Sequence, residues 1–332
     1  MSKPQSEAEP KPKTTDQQSG SSIPQTSNRA LGPAIMCLMI LFVAEWMTLQ
    51  SQQTISQKTA VLSSSSEQVK ITGFLDNAWF LPDESLLGFV RIPAGPFVMG
   101  SNPALDRLAY ENERWSRNRR QGIVQIDEFY IGLFEVTAAQ FRAFTAEHPD
   151  LKNNVIGDIQ GDMPVTNITW PEALAYTRWL QQKLMNSEDT PGELRSYLAA
   201  GGQVSIPSEA EWEKAARGSD GRIFPWGNSP SMELANYDSG AILPVGSRPC
   251  DECAFGLQDM SGNVWELTRS PLQAYPYNPN DDAKNLYEDA LWVMRGGSFA
   301  DSLGNVRAAV RGGVDPSVRS NSIGFRLVIS KP

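Results

Sequence analysis

Histidine is nearly missing from this chain of 332 residues: His148, in AEHPD, stands alone. Cysteine is almost as scarce, with Cys37 inside an apolar run and only Cys250 and Cys253 left for a folded domain. A zinc site of the usual kind needs three or four His or Cys ligands, and a hydrolytic triad needs a histidine beside its nucleophile. Barring ligands from carboxylates or a partner chain, the supply is too short for either. Positive charge is also in deficit. With 29 Lys and Arg against 38 Asp and Glu the net charge is -9, so the balance carries no footprint for nucleic acid, whose phosphates call for clustered cations. What is present is apolar mass: 40% hydrophobic residues, with nine Trp and thirteen Phe, is enough to bury a sizeable interior.

Organisation along the chain follows from composition. Residues 1–29 are rich in Ser, Gln, Pro, Lys and Glu and bury too little to offset the entropy of ordering, so they read as a disordered cytoplasmic tail. Residues 30–49, ALGPAIMCLMILFVAEWMTL, have the length of a bilayer span with Glu45 as the one charge. A cleaved signal peptide and a buried globular helix are the alternatives; the polar leader is long for an n-region and no convincing A-x-A site follows. Lys3, Lys11, Lys13 and Arg29 before the span favour a cytoplasmic N-terminus and a main domain facing the periplasm or the exterior. A Ser/Gln-rich tether over 50–80 then leads into one folded domain over 81–332.

Three helix starts carry the S/T-x-x-E/Q spacing of a capping box: Thr137 with Gln140, Thr169 with Glu172, and Ser208 with Glu211. Pro171 fits a first turn, and Leu174, Thr177, Leu180 and Leu184 recur on one face. Gly218 is placed to end the third helix. FVRIPAGPFVMGS, VQIDEFYIGLFEVT, WVMRGGSF and GFRLVIS read as short strands between Gly and Pro. Much of the remainder is turn chemistry, giving an α+β class low in regular secondary structure. Trp226 in FPWGN reads as a core aromatic, and Arg295, Arg307, Arg311 and Arg326 as forks onto carboxylates and loop carbonyls.

In order along the chain, RIPAGPFVMGS, FYIGLFEVTAAQF, MPVTNITWPEALAYTRWL, IPSEAEWEKAARG, FPWGN, FGLQDMSGNVWELTRS, MRGGSF and GFRLV resemble the formylglycine-generating enzyme (sulfatase-modifying factor) family. The resemblance implies a variant of the C-type lectin fold. It also implies a calcium ion at DMSGNVWEL, held by Asp259, the carbonyls of Gly262 and Val264, and Glu266, a hard-oxygen set suited to that ion. A second family site maps to Asn236 and Tyr237, although its partner loop is shortened between Ser239 and Gly256. The pair Cys250 and Cys253, in a loop after Pro249, reads as a local disulfide in an exported domain.

Formylglycine-forming members carry two cysteines soon after the GGS turn that bind Cu(I). Here that interval is FADSLGNV, and its oxygen ligands cannot replace thiolates for a soft ion, so no copper is expected. Relatives using non-haem iron need several histidines, and His148 alone cannot supply them. The same stretch resembles the ligand-display end of C-type-lectin-like variable proteins, which makes Phe299, Asp301, Leu303 and Asn305 the candidate binding surface. The expectation is a membrane-anchored, outward-facing binding or accessory subunit of an envelope complex, with a protein partner in or at the membrane. The alternative is an enzyme of altered chemistry, acting on a peptide or small molecule in the same cleft.

Overall fold

Each of the three capping boxes closes as its spacing predicts. Thr137 Oγ1 accepts from the Gln140 amide while Gln140 Oε1 accepts from the Thr137 amide, and the Thr169/Glu172 and Ser208/Glu211 pairs do the same. Helices α1 (Ala138–Glu147), α2 (Trp170–Asn186), α3 (Gly192–Ala199), α4 (Glu209–Arg217) and the single turn α5 (Pro279–Asp282) follow in chain order. Gly218 ends α4 with φ 65. The computed structural model describes residues 45–47, 50, 70–151, 159–282 and 290–331. Residues 45–47 are helical, and the rest of the span expected at 30–49 lies outside the described residues save position 50 next to it. Among the described residues no helix is long and apolar enough to cross a membrane.

The chain divides into a unit over 1–67 and a compact unit over 68–332. Strand β1 (Phe74–Leu75) pairs with β2 (Leu81–Pro82), and Ala78 and Leu81 are in the core.

The main sheet has seven strands, in the order β10 (Gly312–Val314), β9 (Trp292–Arg295), β8 (Trp265–Pro271), β11 (Ile323–Ser330), β6 (Phe129–Glu135) and β3 (Phe89–Ile92), with β7 (Gln203–Ser205) also on β11. β4 (Gly95–Met99) and β5 (Gly122–Ile126) form a separate hairpin. All eight residues of β11 are buried because it is paired along both edges: with β6 on one, and with β8 and then β7 on the other. Its alternation splits the interior. Phe325, Leu327 and Ile329 pack with Phe141, Tyr176 and the rest of the α1/α2 face, while Val328 points to the Trp212 cluster of α4. The even-numbered face is where the sheet buries charge.

Candidate functional site

Arg326 and Glu135 stand opposite each other in the β11/β6 register, and Glu266 sits across from Gly324 on β8. The Arg326 side chain is fully buried and donates to both oxygens of Glu266 (2.8 to 3.1 Å) and to the carbonyls of Gly132, Leu133 and Gln258. Trp212 Nε1 adds a donor to Glu266 at 2.7 Å. Glu266 is thus held by a guanidinium and an indole.

That arrangement bears on the expected calcium site. Asp259, Gly262 and Val264 lie on the turn that leads into Glu266 on β8, and its conformation explains its residue types: Asp259, Gly262 and Asn263 all have positive φ (57, 81 and 60), a region that Gly, Asp and Asn enter at least cost. The residues present do not fit the ion as arranged, because the carboxylate that should close the ligand set is already neutralised by Arg326. Among the described residues no group of three His, Cys, Asp or Glu side chains is gathered to hold a metal.

One guanidinium stands among three carboxyls here, and it bonds only Glu266. Glu135 is buried, accepts from Asn263 Nδ2 at 3.1 Å through Oε1, and has no donor for Oε2. Burial, followed by the charge of Asp259, pushes its carboxyl well above the usual range. Asp259 accepts from the Gly246 amide at 2.6 Å, and burial raises it to about 6 despite that bond. The two carboxyls face each other. A proton shared between them would satisfy the orphaned oxygen and relieve the repulsion together.

The second expected metal position is used otherwise. Asn236 donates through Nδ2 to Ala241 O and Asn263 Oδ1, and accepts from Ser239 Oγ at 2.6 Å. Tyr237 packs in a small cluster with Phe224, Ala235 and Val306. Gly262 meets the Asn236 backbone so closely that a Cβ would lie 2.1 Å from its carbonyl oxygen. The network ties two loops together and engages both side-chain atoms of Asn236.

From Asn263 it runs to the face after the GGS turn. The Phe299 amide donates to Asn263 O, and the Ser239 amide to Phe299 O. Gly296 and Gly297 turn with φ 94 and 74, and a Cβ on Gly297 would meet Asn305 O at 2.6 Å, so the RGGS turn has to be glycine. Asp301 is the hub. Its Oδ2 accepts from Trp265 Nε1 (2.8 Å), Ser298 Oγ (2.6 Å) and the Ser298 amide, and its Oδ1 from Asn305 Nδ2. Asn305 Oδ1 in turn accepts from Tyr110 OH at 2.9 Å. Of the four residues expected to display themselves, none is fully exposed: Phe299, Asp301, Leu303 and Asn305 are half-buried, and Leu303 leans on the Tyr237 cluster. The open positions of the stretch are Ala300 and Ser302.

Cys250 and Cys253 are joined as a disulfide. His148 caps α1, its Nδ1 within 2.9 Å of Phe144 O and its ring 4.4 Å from that of Phe144, which is a packing role. Trp226 is half-buried and stacks on Phe224, which takes the core place expected of it. Sequence reasoning missed the acidic partners of the arginines. Glu209 takes Arg295 and Arg311, Glu213 takes Arg295 and Arg217, and Asp106 and Glu113 take Arg307. Helix α4 is consequently buried along its whole length although it carries three glutamates.

Comparison with known proteins agrees with this architecture. Residues 81–331 match the sulfatase-modifying factor enzyme 1-like domain. Hercynine oxygenase of Mycolicibacterium smegmatis is 30% identical over 284 residues, 72% of this chain and 60% of the relative. The chain thus spans a little over half the length of the two Mycolicibacterium hercynine oxygenases it matches, at 60% and 56%. An inactive C-alpha-formylglycine-generating enzyme 2 from Bos taurus is 27% identical over 309 residues, 79% of this chain and 95% of the relative. Two solved structures share the fold at 24% identity: Treponema denticola variable protein 1 (TM-score 0.55, 74% of this chain, 95% of that one) and PvdO from Pseudomonas aeruginosa (TM-score 0.56, 73% and 94%).

Proposed function

The chain belongs to the sulfatase-modifying factor enzyme 1-like family, and we propose that within it the protein is a binding or accessory member that has kept the fold and lost the copper chemistry. The observation that carries this reading is Asp301. Where formylglycine-forming relatives place a thiol soon after the GGS turn, this chain places a carboxylate whose two oxygens are taken by Trp265, Ser298 and Asn305. It organises the loop and offers nothing to a soft metal. A relative described as inactive aligns with most of both chains, which supports the same reading. Oxygenase chemistry of the hercynine type is not carried over, since the lone histidine is spent on capping α1.

The test is incubation with copper and a sulfatase-type CxPxR peptide. The peptide should keep its cysteine mass, and an aldehyde-reactive product would overturn the proposal. The face offered to a partner is the rim at Ala300 and Ser302, backed by half-buried Phe299 and Leu303.

The proposed setting is a single-pass anchor at residues 30–49 with the domain outside the cytoplasm, where it serves a protein complex at the membrane. The apolar run and the lysines before it in the sequence support this. Protease added to intact spheroplasts should then remove the domain and leave an N-terminal fragment; full protection would reject the topology.

A further inference from the structure

The connection between β4 and β5, residues 100–121, carries a concentration of positive charge that the whole-chain balance conceals. Arg107, Arg114, Arg117, Arg119 and Arg120 fall within fourteen positions of a chain whose net charge is -9. Two of the loop's three acids, Asp106 and Glu113, are buried and engaged by Arg307. Glu111 remains, exposed, and touches Arg114 and Arg120 at 3.4 Å each. Arg107, Arg117 and Arg119 are exposed and have no acidic partner among the described residues.

The loop holds these charges on a firm base. Residues 117 to 120 are exposed in succession, at the tip of a turn closed by the Trp115 amide on Arg120 O and the Ser116 amide on Arg119 O. Behind the tip, the Trp115 ring lies against Gly122 and 5.4 Å from Tyr275, and Gln121 Nε2 donates to Gly100 O. Alongside the arginines stand apolar side chains that the fold leaves in water: Leu105 at 73% exposure, Leu108 at 45%, Tyr110 at 46% and, just past the loop, Ile123 at 76%.

We propose that this loop docks the domain on an anionic phospholipid surface. Its guanidiniums can fork onto headgroup phosphates, and each basic residue near such a surface adds to the attraction. Leu105, Leu108 and Ile123 supply apolar groups for the boundary zone, the mixture that interfacial segments use. The acidic remainder of the domain is repelled by the same surface, so charge alone selects which side faces it. A protein interface would instead gather its apolar anchors into a centre ringed by polar groups. Here they are interspersed with the arginines along the loop. The proposal stands apart from the accessory reading and from the anchor at 30–49.

The test uses the full chain carrying Cys37→Ser and Leu105→Cys, with an environment-sensitive fluorophore on the thiol introduced by the second substitution while Cys250 and Cys253 remain oxidised. Its emission should shift to the blue on vesicles of phosphatidylcholine mixed with phosphatidylglycerol, and not on phosphatidylcholine alone. The shift should disappear in roughly 1 M salt, where screening acts within about 3 Å, and in the Arg117→Glu/Arg119→Glu double variant. No shift, an equal shift on both lipids, or a shift that survives charge reversal would overturn the proposal. So would a shift produced by polyglutamate without vesicles, which would assign the loop to an acidic polypeptide. None of these outcomes bears on the copper and peptide assay.

Discussion

Two groups of arginines do opposite things in this molecule. Arg295, Arg307, Arg311 and Arg326, in the stretch from the GGS turn to β11, are buried and forked onto carboxylates and carbonyls. Those at 107, 117 and 119 are in water without acidic partners among the described residues. The same side chain is a structural strut in one place and an available charge in the other. What differs is whether the fold brings an acid to it. A domain with little regular secondary structure cannot rely on ladder hydrogen bonds to fix its loops, and planar guanidiniums with five donors tie several backbone carbonyls at once. The exposed set has no such task, which is the physical ground for giving it another.

The comparison breaks most easily at Arg326. Arg326→Ala leaves Glu266 buried and unpaired beside Glu135 and Asp259 and frees three carbonyls, so the domain should lose about 3–5 kcal/mol, read as a lowered midpoint in urea. Arg326→Lys should recover little, because an ammonium cannot reproduce the fork. If Arg326→Ala melted like the wild type, the strut role would be wrong.

A smaller effect should come from the carboxyls that the guanidinium does not serve. A folded carboxyl with a raised pKa binds its proton more tightly than the unfolded one, so its contribution is complete below its ordinary value and is lost as pH climbs through the folded value. For Asp259 the window runs from 3.8 to about 6, and Asp282, raised mainly by burial to about 6, adds with the same sign. Glu211 and Glu213, held below 4.5 by their arginines in spite of burial, act in the opposite direction at lower pH. Between pH 4.5 and 6 the melting temperature should therefore fall as pH rises. Asp259→Asn and Asp282→Asn together should make the profile shallower, Glu135 keeping part of the slope, and a wild-type profile already flat or rising across that interval would contradict the assignment. Smallest of all, Arg117→Glu/Arg119→Glu should leave stability within about 0.5 kcal/mol, as exposed substitutions without partners usually do.

How much of this the sequence discloses depends on distance along the chain. The helix starts are legible because a capping box is a contact across three positions, and Thr137 reads its Gln140 without help from the rest of the fold. That the four arginines fork is legible from their type and setting. Their partners are not, since Arg295 reaches back 86 and 82 positions to Glu209 and Glu213, and Arg307 reaches back 201 to Asp106. Three glutamates on α4 resemble a solvated face until those guanidiniums are brought to them. The calcium expectation meets the same limit: the spacing of Asp259, Gly262, Val264 and Glu266 is local, but the guanidinium that holds Glu266 comes from 60 positions away. Asp301 reads as a surface residue in sequence because one of its partners, Trp265, lies 36 positions back, outside the short window that suggests it.

The central strand of the sheet is also its last in chain order, and this sets a schedule for synthesis. β6, β7 and β8 leave the ribosome long before β11, yet each pairs with it, and the hydrophobic clusters of Phe141 and of Trp212 both draw residues from it. Until Ile323–Ser330 arrives, the earlier strands have no common partner and Glu135 and Glu266 have no Arg326. A nascent chain stalled before that point can form its capped helices but cannot close the domain. Closure is therefore a late event, driven by contacts remote in sequence, and the unfinished chain must be kept from aggregating until they form.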